Sequence, residues 1–204
     1  MHTVVLRVWL PDRPGALGQV ASRIGSVRGD VLGIEILESG GGRVVDELVV
    51  VLPDSDLVDL LIAEVNAVDG IAVEHVRPID GERVDPDLAA LEVGAQIVET
   101  EPEGRLAVLC AGVASVTDAE WAVVIRDGAV VTSSGCPPDI AWLLAFLAGS
   151  HHLSDATGAP GDLVWAHLPR AGVAIAAGRS QRPVHERERT RVALLGRIAD
   201  TLLT

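Results

Sequence analysis

The order of secondary-structure patterns in the first eighty residues constrains the fold of this chain more than any other feature. Residues 3–10 alternate between two faces, as a half-buried strand does. Apolar residues then recur at helical spacing over residues 17–27, and Gly29 predicts the end of that helix. The chain therefore begins with a strand followed directly by a helix.

Four more elements follow. A second strand carries Leu32, Ile34 and Ile36 on one face, and the turn SGGG at 39–42 leads into a third strand. A second helix is predicted with Ser55 as its N-cap, and the segment IAVEHV predicts a last strand. In this order, two helices can pack on one face of a four-stranded antiparallel sheet, which is the split βαβ or ferredoxin-like arrangement.

A polar segment separates this unit from the rest of the chain. Residues 80–87, DGERVDPD, combine charge with Gly and Pro and predict a linker. The sequence therefore predicts one domain over residues 1–79 and a second over residues 88–204.

The second domain has a different order of elements. Two helical patterns come first, and the apolar stripe of the earlier one consists of Leu88, Leu91, Ala95 and Val98. A hairpin around Asp127-Gly128 follows, and then a helix over residues 138–148 whose apolarity on all sides predicts burial. Two further strands and a C-terminal helix complete it. We expect an α+β domain in which helices flank a central antiparallel sheet.

The composition excludes several functional classes. The net charge is −13 and no basic cluster occurs, which argues against nucleic acid as a partner of this chain. No signal peptide is visible, and the longest apolar stretch, IAWLLAFLAG, is too short to span a bilayer. Cys110 and Cys136 have no metal-binding or redox spacing. We expect a cytoplasmic protein with reduced thiols and no membrane association.

No catalytic or metal-binding motif stands out. His151 and His152 are adjacent, so on an extended segment they point to opposite sides, and a solvated loop is the simpler interpretation. Cys110 lies on an apolar helical stripe and is expected to be a buried core thiol, whereas Cys136 lies in a loop. No Ser/His/Asp, Cys/His or phosphate-loop pattern is present. We therefore predict no catalytic residue, no metal site and no cofactor.

The corner between the first strand and the first helix, LPDRPGAL at residues 10–17, has two interpretations. It can be a tight turn with Pro14 near the first helical position. It can also be a binding site, because the amides at a helix N-terminus are unpaired donors in a positive dipole field and suit a carboxylate. Gly15 would let a ligand approach the backbone closely.

Residues 2–79 resemble an ACT domain, a small ligand-binding regulatory module found in bacterial regulatory proteins. The similarity lies in Asp12-Arg13-Pro14-Gly15-Ala16-Leu17 after the first strand and in Gly29-Asp30-Val31-Leu32 at the entry to the second. The resemblance implies that a small effector, often an amino acid, binds between this corner and the second strand of a paired domain, and hence a homodimer. The effector site that it implies consists of Asp12, Arg13, Pro14, Gly15, Ala16, Leu17, Asp30, Val31 and Leu32.

Asp30 departs from the ACT pattern, which frequently has Asn at this position. A carboxylate cannot donate to the carboxylate of a ligand, but it can accept from an α-ammonium group. Asp30 therefore either changes the specificity of the effector site or marks a domain that has lost this site.

Residues 86–204 resemble a GAF domain in element order, in the hairpin WAVVIRDGAVVTSSG and in the closing segment RSQRPVHERERTRVALLGRIADTLL. Members of that family sense small molecules or act as dimerisation modules. No cofactor-binding motif of the family is recognisable, so the resemblance implies an α/β sandwich and no named ligand.

Three functions follow from these observations. The first is a non-catalytic sensor that binds an amino acid at the ACT domain and signals through the GAF-like domain, dimerisation or an unidentified protein partner. The second is a dimerisation scaffold with vestigial ligand sites. The third is an enzyme with Cys136 as its nucleophile, which no motif supports.

Overall fold

The computed structural model describes residues 1–79, 81, 83–150 and 161–204, and it divides into two compact units, Met1–Arg83 and Val84–Thr204. His151 and His152, considered above as metal ligands, lie outside the described residues, as do Asp80 and Glu82 of the predicted linker.

The first unit has the predicted six elements. A short 3₁₀ turn precedes its second helix. The elements are β1 (His2–Pro11), α1 (Ala16–Ser26), β2 (Asp30–Gly40), β3 (Arg43–Leu52), α2 (Val58–Asn66) and β4 (Ala72–Ile79). The strands form one antiparallel sheet in the order β2-β3-β1-β4. The first unit therefore has the ferredoxin-like topology expected from the sequence.

The core of this unit lies between the sheet and its two helices. Leu6 and Leu48 from the sheet meet Val20 of α1 and Leu61 of α2 in one apolar cluster. The prediction that β1 is half-buried is wrong, because Val5 on the opposite face is also fully covered. As one of the two central strands of the sheet, β1 is buried on both sides.

The apolar face predicted for β2 is exposed. Leu32, Ile34 and Ile36 are 62%, 50% and 54% exposed. The reason is topological, because β2 forms the edge of the sheet and, over the described ranges, no further strand pairs with its outer side. Two register shifts, between Val31 and Gly33 and between Ile36 and Glu38, interrupt its alternation.

The ends of the helices also differ from the sequence-based expectation. Arg28, not Gly29, takes the left-handed conformation after α1, with φ 61°. Gly29 donates its amide to Ile24 O over 3.0 Å, and a Cβ there would lie 2.9 Å from Ile24 Cγ2. Glycine therefore suits this position because a side chain would collide with Ile24. Asp54 rather than Ser55 supplies the side-chain cap, and it caps the 3₁₀ turn Ser55–Leu57 that precedes α2, since its carboxylate accepts from the amide of Asp56.

The second unit is a sheet between two layers of helices. Its elements are α3 (Pro86–Glu99), α4 (Arg105–Val116), β5 (Trp121–Arg126), β6 (Ala129–Gly135), α5 (Ile140–Ser150), β7 (Leu163–Leu168), β8 (Val173–Gly178) and α6 (Glu186–Leu202). The strands pair antiparallel in the order β6-β5-β8-β7. Helices α3, α4 and α6 share one apolar cluster with the sheet, and α5 belongs to a second cluster. This is the predicted helix-flanked antiparallel sheet.

Two helices of this unit expose apolar side chains, and for the helix predicted over residues 138–148 this corrects the expected burial. In α3 the core positions are Val93, Gly94 and Ile97, whereas the predicted stripe faces outward. In α5, Leu143 and Leu147 are buried but Trp142 is half-exposed. A single helix on one side of a sheet buries only the face that touches the sheet, even when its whole surface is apolar.

A buried arginine joins the closing segment to the rest of this unit. The Arg179 guanidinium donates to Glu188 Oε2 over 2.8 Å and to Pro183 O over 2.7 Å, and it also contacts Thr117 O. Glu188 in turn accepts from the amide of His185 over 2.9 Å at the start of α6. Arg179 therefore fixes both the turn before α6 and its first residues.

Candidate functional site

The corner between β1 and α1 is built by its own backbone. Asp12 donates its amide to Gly42 O over 2.9 Å, and Arg13 donates to Pro11 O over 2.8 Å. Gly15 then takes the left-handed conformation, with φ +87°, as the N-cap of α1. A positive φ at this position favours glycine, so Gly15 sets the direction in which the helix leaves the corner.

The first turn of α1 holds amide donors that the described part of the chain does not use. Among the described residues, no side chain caps the helix. The Ala16 amide donates to Arg13 O over 3.2 Å and the Gln19 amide to Gly15 O over 3.1 Å. Between them, the amides of Leu17 and Gly18 have no acceptor among the described residues. Such donors at a helix N-terminus bind carboxylates and phosphates well.

The surface beside these amides is open. A Cβ placed on Gly15 or Gly18 would meet no atom within 4 Å in the part of the chain that the structure describes. A groove of about 390 Å³ begins there and runs along α1, and its lining residues are Gly15, Gly18, Gln19, Ser22, Arg23, Ser26 and Val68. Arg13 lies beside the groove and donates to Gln19 Oε1 over 3.4 Å. The corner therefore offers amide donors and a guanidinium to a small anion.

The predicted residues of the corner take different roles. Asp12, Arg13, Pro14 and Gly15 are exposed, whereas Ala16 is buried and Leu17 is half-buried against the core. Ala16 and Leu17 can thus contribute their backbone to a ligand, and their side chains belong to the fold.

Asp30, Val31 and Leu32 lie at the other end of the sheet. Asp30 is level with Val51 and hence with Thr3 of β1, whereas Gly40 is level with Arg43 and hence with Pro11 at the corner. Eight residues of extended strand correspond to about 26 Å. A single copy of the chain therefore keeps the two parts of the predicted site apart.

Sequence reasoning missed the polar residues of α1 that line the groove. Gln19, Ser22 and Ser26 follow Gly15 and Gly18 at helical spacing. This spacing places them on one line of the helix surface. The same periodicity that identified the buried face of α1 could have identified this line.

A buried ion cluster lies elsewhere in the first unit. The two oxygens of Glu47 contact Arg7 Nε and Arg83 Nη2. Burial opposes ionisation of Glu47, but the two guanidinium groups and their hydrogen bonds hold the pKa of that carboxyl below its usual range. The neighbouring Asp46 points to the opposite face of β3, and burial raises its pKa.

The two cysteines, Cys110 and Cys136, lie in different environments. Cys110 is buried, and burial raises the pKa of its thiol. Cys136 is exposed after β6, and both thiols are free. Over the described ranges, no three His, Cys, Asp or Glu side chains are grouped to hold a metal ion. No helix in those same ranges is long and apolar enough to cross a membrane.

A comparison with known protein families finds a match for the first unit. The family model of the ACT domain matches residues 4–70. No curated protein matches the chain.

Solved structures with a related arrangement are distant from this chain. The ACT domain of GTP pyrophosphokinase from Chlorobium tepidum is 16% identical with a TM-score of 0.32, over 39% of this chain and 100% of that one. A formyltetrahydrofolate deformylase from Pseudomonas putida is 18% identical with a TM-score of 0.31, over 47% of this chain and 38% of that one. An unknown protein from Galdieria sulphuraria is 15% identical with a TM-score of 0.33, over 61% of this chain and 68% of that one. The family model alone therefore carries the assignment: residues 4–70 form an ACT domain, a module that implies binding of a small-molecule effector, often an amino acid, and regulation.

Proposed function

We propose that this chain is a non-catalytic regulatory protein that binds an amino acid at its ACT domain. The observation that carries the proposal is the uncapped first turn of α1, where the amides of Leu17 and Gly18 face open surface beside Gly15. The α-carboxylate of an amino acid matches these donors, and Arg13 adds a positive charge next to them.

A homodimer would complete the site. When two β2 edges pair about a twofold axis, the strands run antiparallel, so Asp30–Leu32 of one copy lies beside the Gly40 end of the other. That end is level with Pro11 and two strand spacings from it, so Asp30 of the other copy would lie three spacings, about 14 Å, from Pro11. Asp30 would then accept from the ammonium group of the effector whose carboxylate binds the corner. The same pairing would cover the exposed Ile34 of β2.

The second unit is proposed to be GAF-like and to carry the signal onward, by its own association or to an unidentified protein partner. Its support is the resemblance in element order described above. We also propose domains over residues 1–79 and 88–204 with a linker at 80–87, a segment that contains the boundary between Arg83 and Val84. The two free thiols suit the reducing conditions of the cytoplasm, where we place the protein.

A thermal-shift screen of the twenty amino acids tests the proposal. At 100 times its dissociation constant, a ligand should add about 2.7 kcal/mol to the free energy of unfolding. We expect a concentration-dependent shift with one amino acid or one class of them. No shift from any amino acid at millimolar concentration would contradict the proposal.

A scaffold that dimerises without binding an effector is the second candidate. The observation that favours it is Asp30, which stands where ACT domains frequently have Asn, in an edge strand that exposes Leu32, Ile34 and Ile36. This candidate predicts a stable dimer in light scattering with no response to any amino acid.

A further inference from the structure

The groove that begins at the corner continues along α1 beyond the amides that we assign to the carboxylate of the effector. Gly15 and Gly18 lie at its start, and Ser22, Arg23 and Ser26 lie further along the helix. A groove of about 390 Å³ is larger than a carboxylate alone requires. The residues beyond Gly18 are therefore placed to contact the side chain of a bound amino acid.

The charge of this groove is opposite to that of the whole chain. The sequence contains 29 acidic residues against 16 basic ones. Among the described residues that line the groove, however, Arg23 is the one charged side chain, and no carboxylate is present. Arg13 lies beside the start of the groove, where it donates to Gln19 Oε1. A ligand in the groove therefore meets a positive charge near the corner and a second one further along α1.

The Arg23 guanidinium is available to a further carboxylate. Its Nη1 donates to Glu64 Oε2 of α2 over 3.1 Å, and over the described ranges its other two nitrogens have no acceptor. The two side chains are 46% and 34% exposed, and ion pairs at such exposed positions contribute little to stability. Arg23 can therefore share its charge with a ligand, or exchange Glu64 for it, without loss of a structural contact.

The position of Arg23 along α1 sets the length of the side chain that can reach it. Gly15, Gln19 and Arg23 follow one another at intervals of four residues, which places them along one side of the helix. From Gly15 to Arg23 the helix rises about 12 Å. Helical side chains lean towards the N-terminus, so the guanidinium covers part of this distance. The rest suits two carboxylates that are joined by a short carbon chain.

We propose that the effector is an acidic amino acid, whose α-carboxylate binds the amides of Leu17 and Gly18 and whose side-chain carboxylate binds Arg23. This inference rests on the proposed function, which places an amino acid at the corner. Charge-assisted hydrogen bonds from a guanidinium to a carboxylate are about twice as strong as those between neutral groups. The exposed hydroxyl of Ser22, next to Arg23 in the lining, is a further donor to the same carboxylate.

This arrangement also explains how the site would reject other amino acids. An amide side chain has nearly the same shape as the corresponding acid but no charge, so it would gain less from Arg23. An apolar side chain of the same length would lie beside the guanidinium without accepting a hydrogen bond from it. Arg13 contributes equally to all of them, because it lies at the end of the groove that holds the α-carboxylate.

Titration calorimetry on the full chain at constant ionic strength tests the proposal. Each acidic amino acid is compared with its own amide, glutamate with glutamine and aspartate with asparagine. We expect at least one acid to bind about tenfold or more tightly than its amide. Arg23→Gln should remove this preference by weakening the binding of the acid while the affinity for the amide stays unchanged.

The matched control is Glu64→Gln, which breaks the same ion pair from α2 and leaves the lining of the groove intact. This variant should keep the preference for the acid. Its affinity for the acid should equal that of the wild type or exceed it, because Arg23 then has no competing carboxylate from α2.

Two results would overturn the proposal. One is a wild-type protein that binds neither acid more tightly than its amide. The other is a Glu64→Gln variant that loses as much affinity for the acid as Arg23→Gln does, because the ion pair would then matter rather than the contact with the ligand. Both results leave the proposed function standing if another amino acid binds. A chain that binds none of the twenty amino acids would contradict the proposed function together with this inference.

Discussion

At the scale of single residues, Gly15 decides whether the corner is a turn or a binding site. Its φ of +87° sets the start of α1, and no atom of the described residues lies within 4 Å of where its Cβ would be. A side chain at this position therefore strains the backbone and occupies the space that we assign to the effector. The two effects can be separated because Gly128, in the turn between β5 and β6, has φ +75° and equally open surroundings.

We expect Gly15→Ala and Gly128→Ala each to lower the free energy of unfolding by about 1–2 kcal/mol, because both place a Cβ in the left-handed region. Only Gly15→Ala should weaken amino-acid binding, by about tenfold or more. Chemical denaturation and titration calorimetry on both variants provide the comparison. Equal affinities for the wild type and Gly15→Ala would show that the corner is a turn and nothing more.

Asp46 gives a pH-dependent prediction. It is 3% exposed, its Oδ1 has no hydrogen-bond partner among the described residues, and burial raises its pKa above 3.8. Because the folded-state pKa exceeds the unfolded one, this group lowers the free energy of unfolding as the pH rises from about 3.8 through the folded pKa. Asp46→Asn should therefore stabilise the protein at pH 7 by about 1–3 kcal/mol, with less gain near pH 4.

Urea denaturation of Asp46→Asn and the wild type at both pH values measures this difference. The control is Asp59→Asn, which replaces an exposed carboxyl in the first turn of α2. Its effect on the free energy of unfolding should differ little between the two pH values. A gain of the same size at both pH values would mean that the ionisation of Asp46 has no part in it.

At the scale of secondary-structure elements, α6 depends on Arg179. Both side chains of the Arg179–Glu188 pair are nearly inaccessible, 1% and 4% exposed. Removing one partner of such a pair leaves a buried charge without compensation and costs about 3–5 kcal/mol. We expect this cost for Arg179→Met. Arg182→Met should cost less, because the carboxylate that Arg182 contacts, Asp118, is 43% exposed.

Tryptophan fluorescence can follow this loss in the second unit, which contains Trp121, Trp142 and Trp165. Equal losses in Arg179→Met and Arg182→Met would contradict the role assigned to Arg179.

The elements were predictable from sequence where local pattern and tertiary environment agree. The order β1, α1, β2, β3, α2, β4 follows from periodicity and turn residues, and the corner at Gly15 follows from local backbone chemistry. Burial of the apolar faces did not follow for β2 and α3. Whether an apolar face is covered depends on its place in the sheet order or on the surface, and periodicity carries no information about that.

Contacts between distant residues were equally out of reach of the sequence. Arg7, Glu47 and Arg83 come from separate elements, and only the register of β1 with β3 places the first two side by side. The separation of Asp30 from the corner is also a consequence of register. The sequence placed both segments in one site through a family resemblance, and the sheet shows that one copy alone leaves them about 26 Å apart.

At the scale of the whole molecule, the account predicts one surface for self-association and one effector site shared between two copies. The β2 edge exposes Leu32, Ile34 and Ile36, and pairing of two such edges would complete the effector site. Effector binding there can thus change assembly, which is a means of regulation that needs no catalytic group.

Complementation between two inactive variants tests the central claim, a site shared by two copies, most directly. Gly15→Val disables the corner of the chain that carries it. Asp30→Ala removes the ammonium acceptor that its chain contributes to the effector site of the partner copy. Titration calorimetry should find no amino-acid binding to either variant alone. After subunit exchange in an equal mixture, half of the dimers are mixed and each holds one intact site, so about a quarter of the wild-type sites should return. No recovery in a mixture whose exchange is verified would contradict the account.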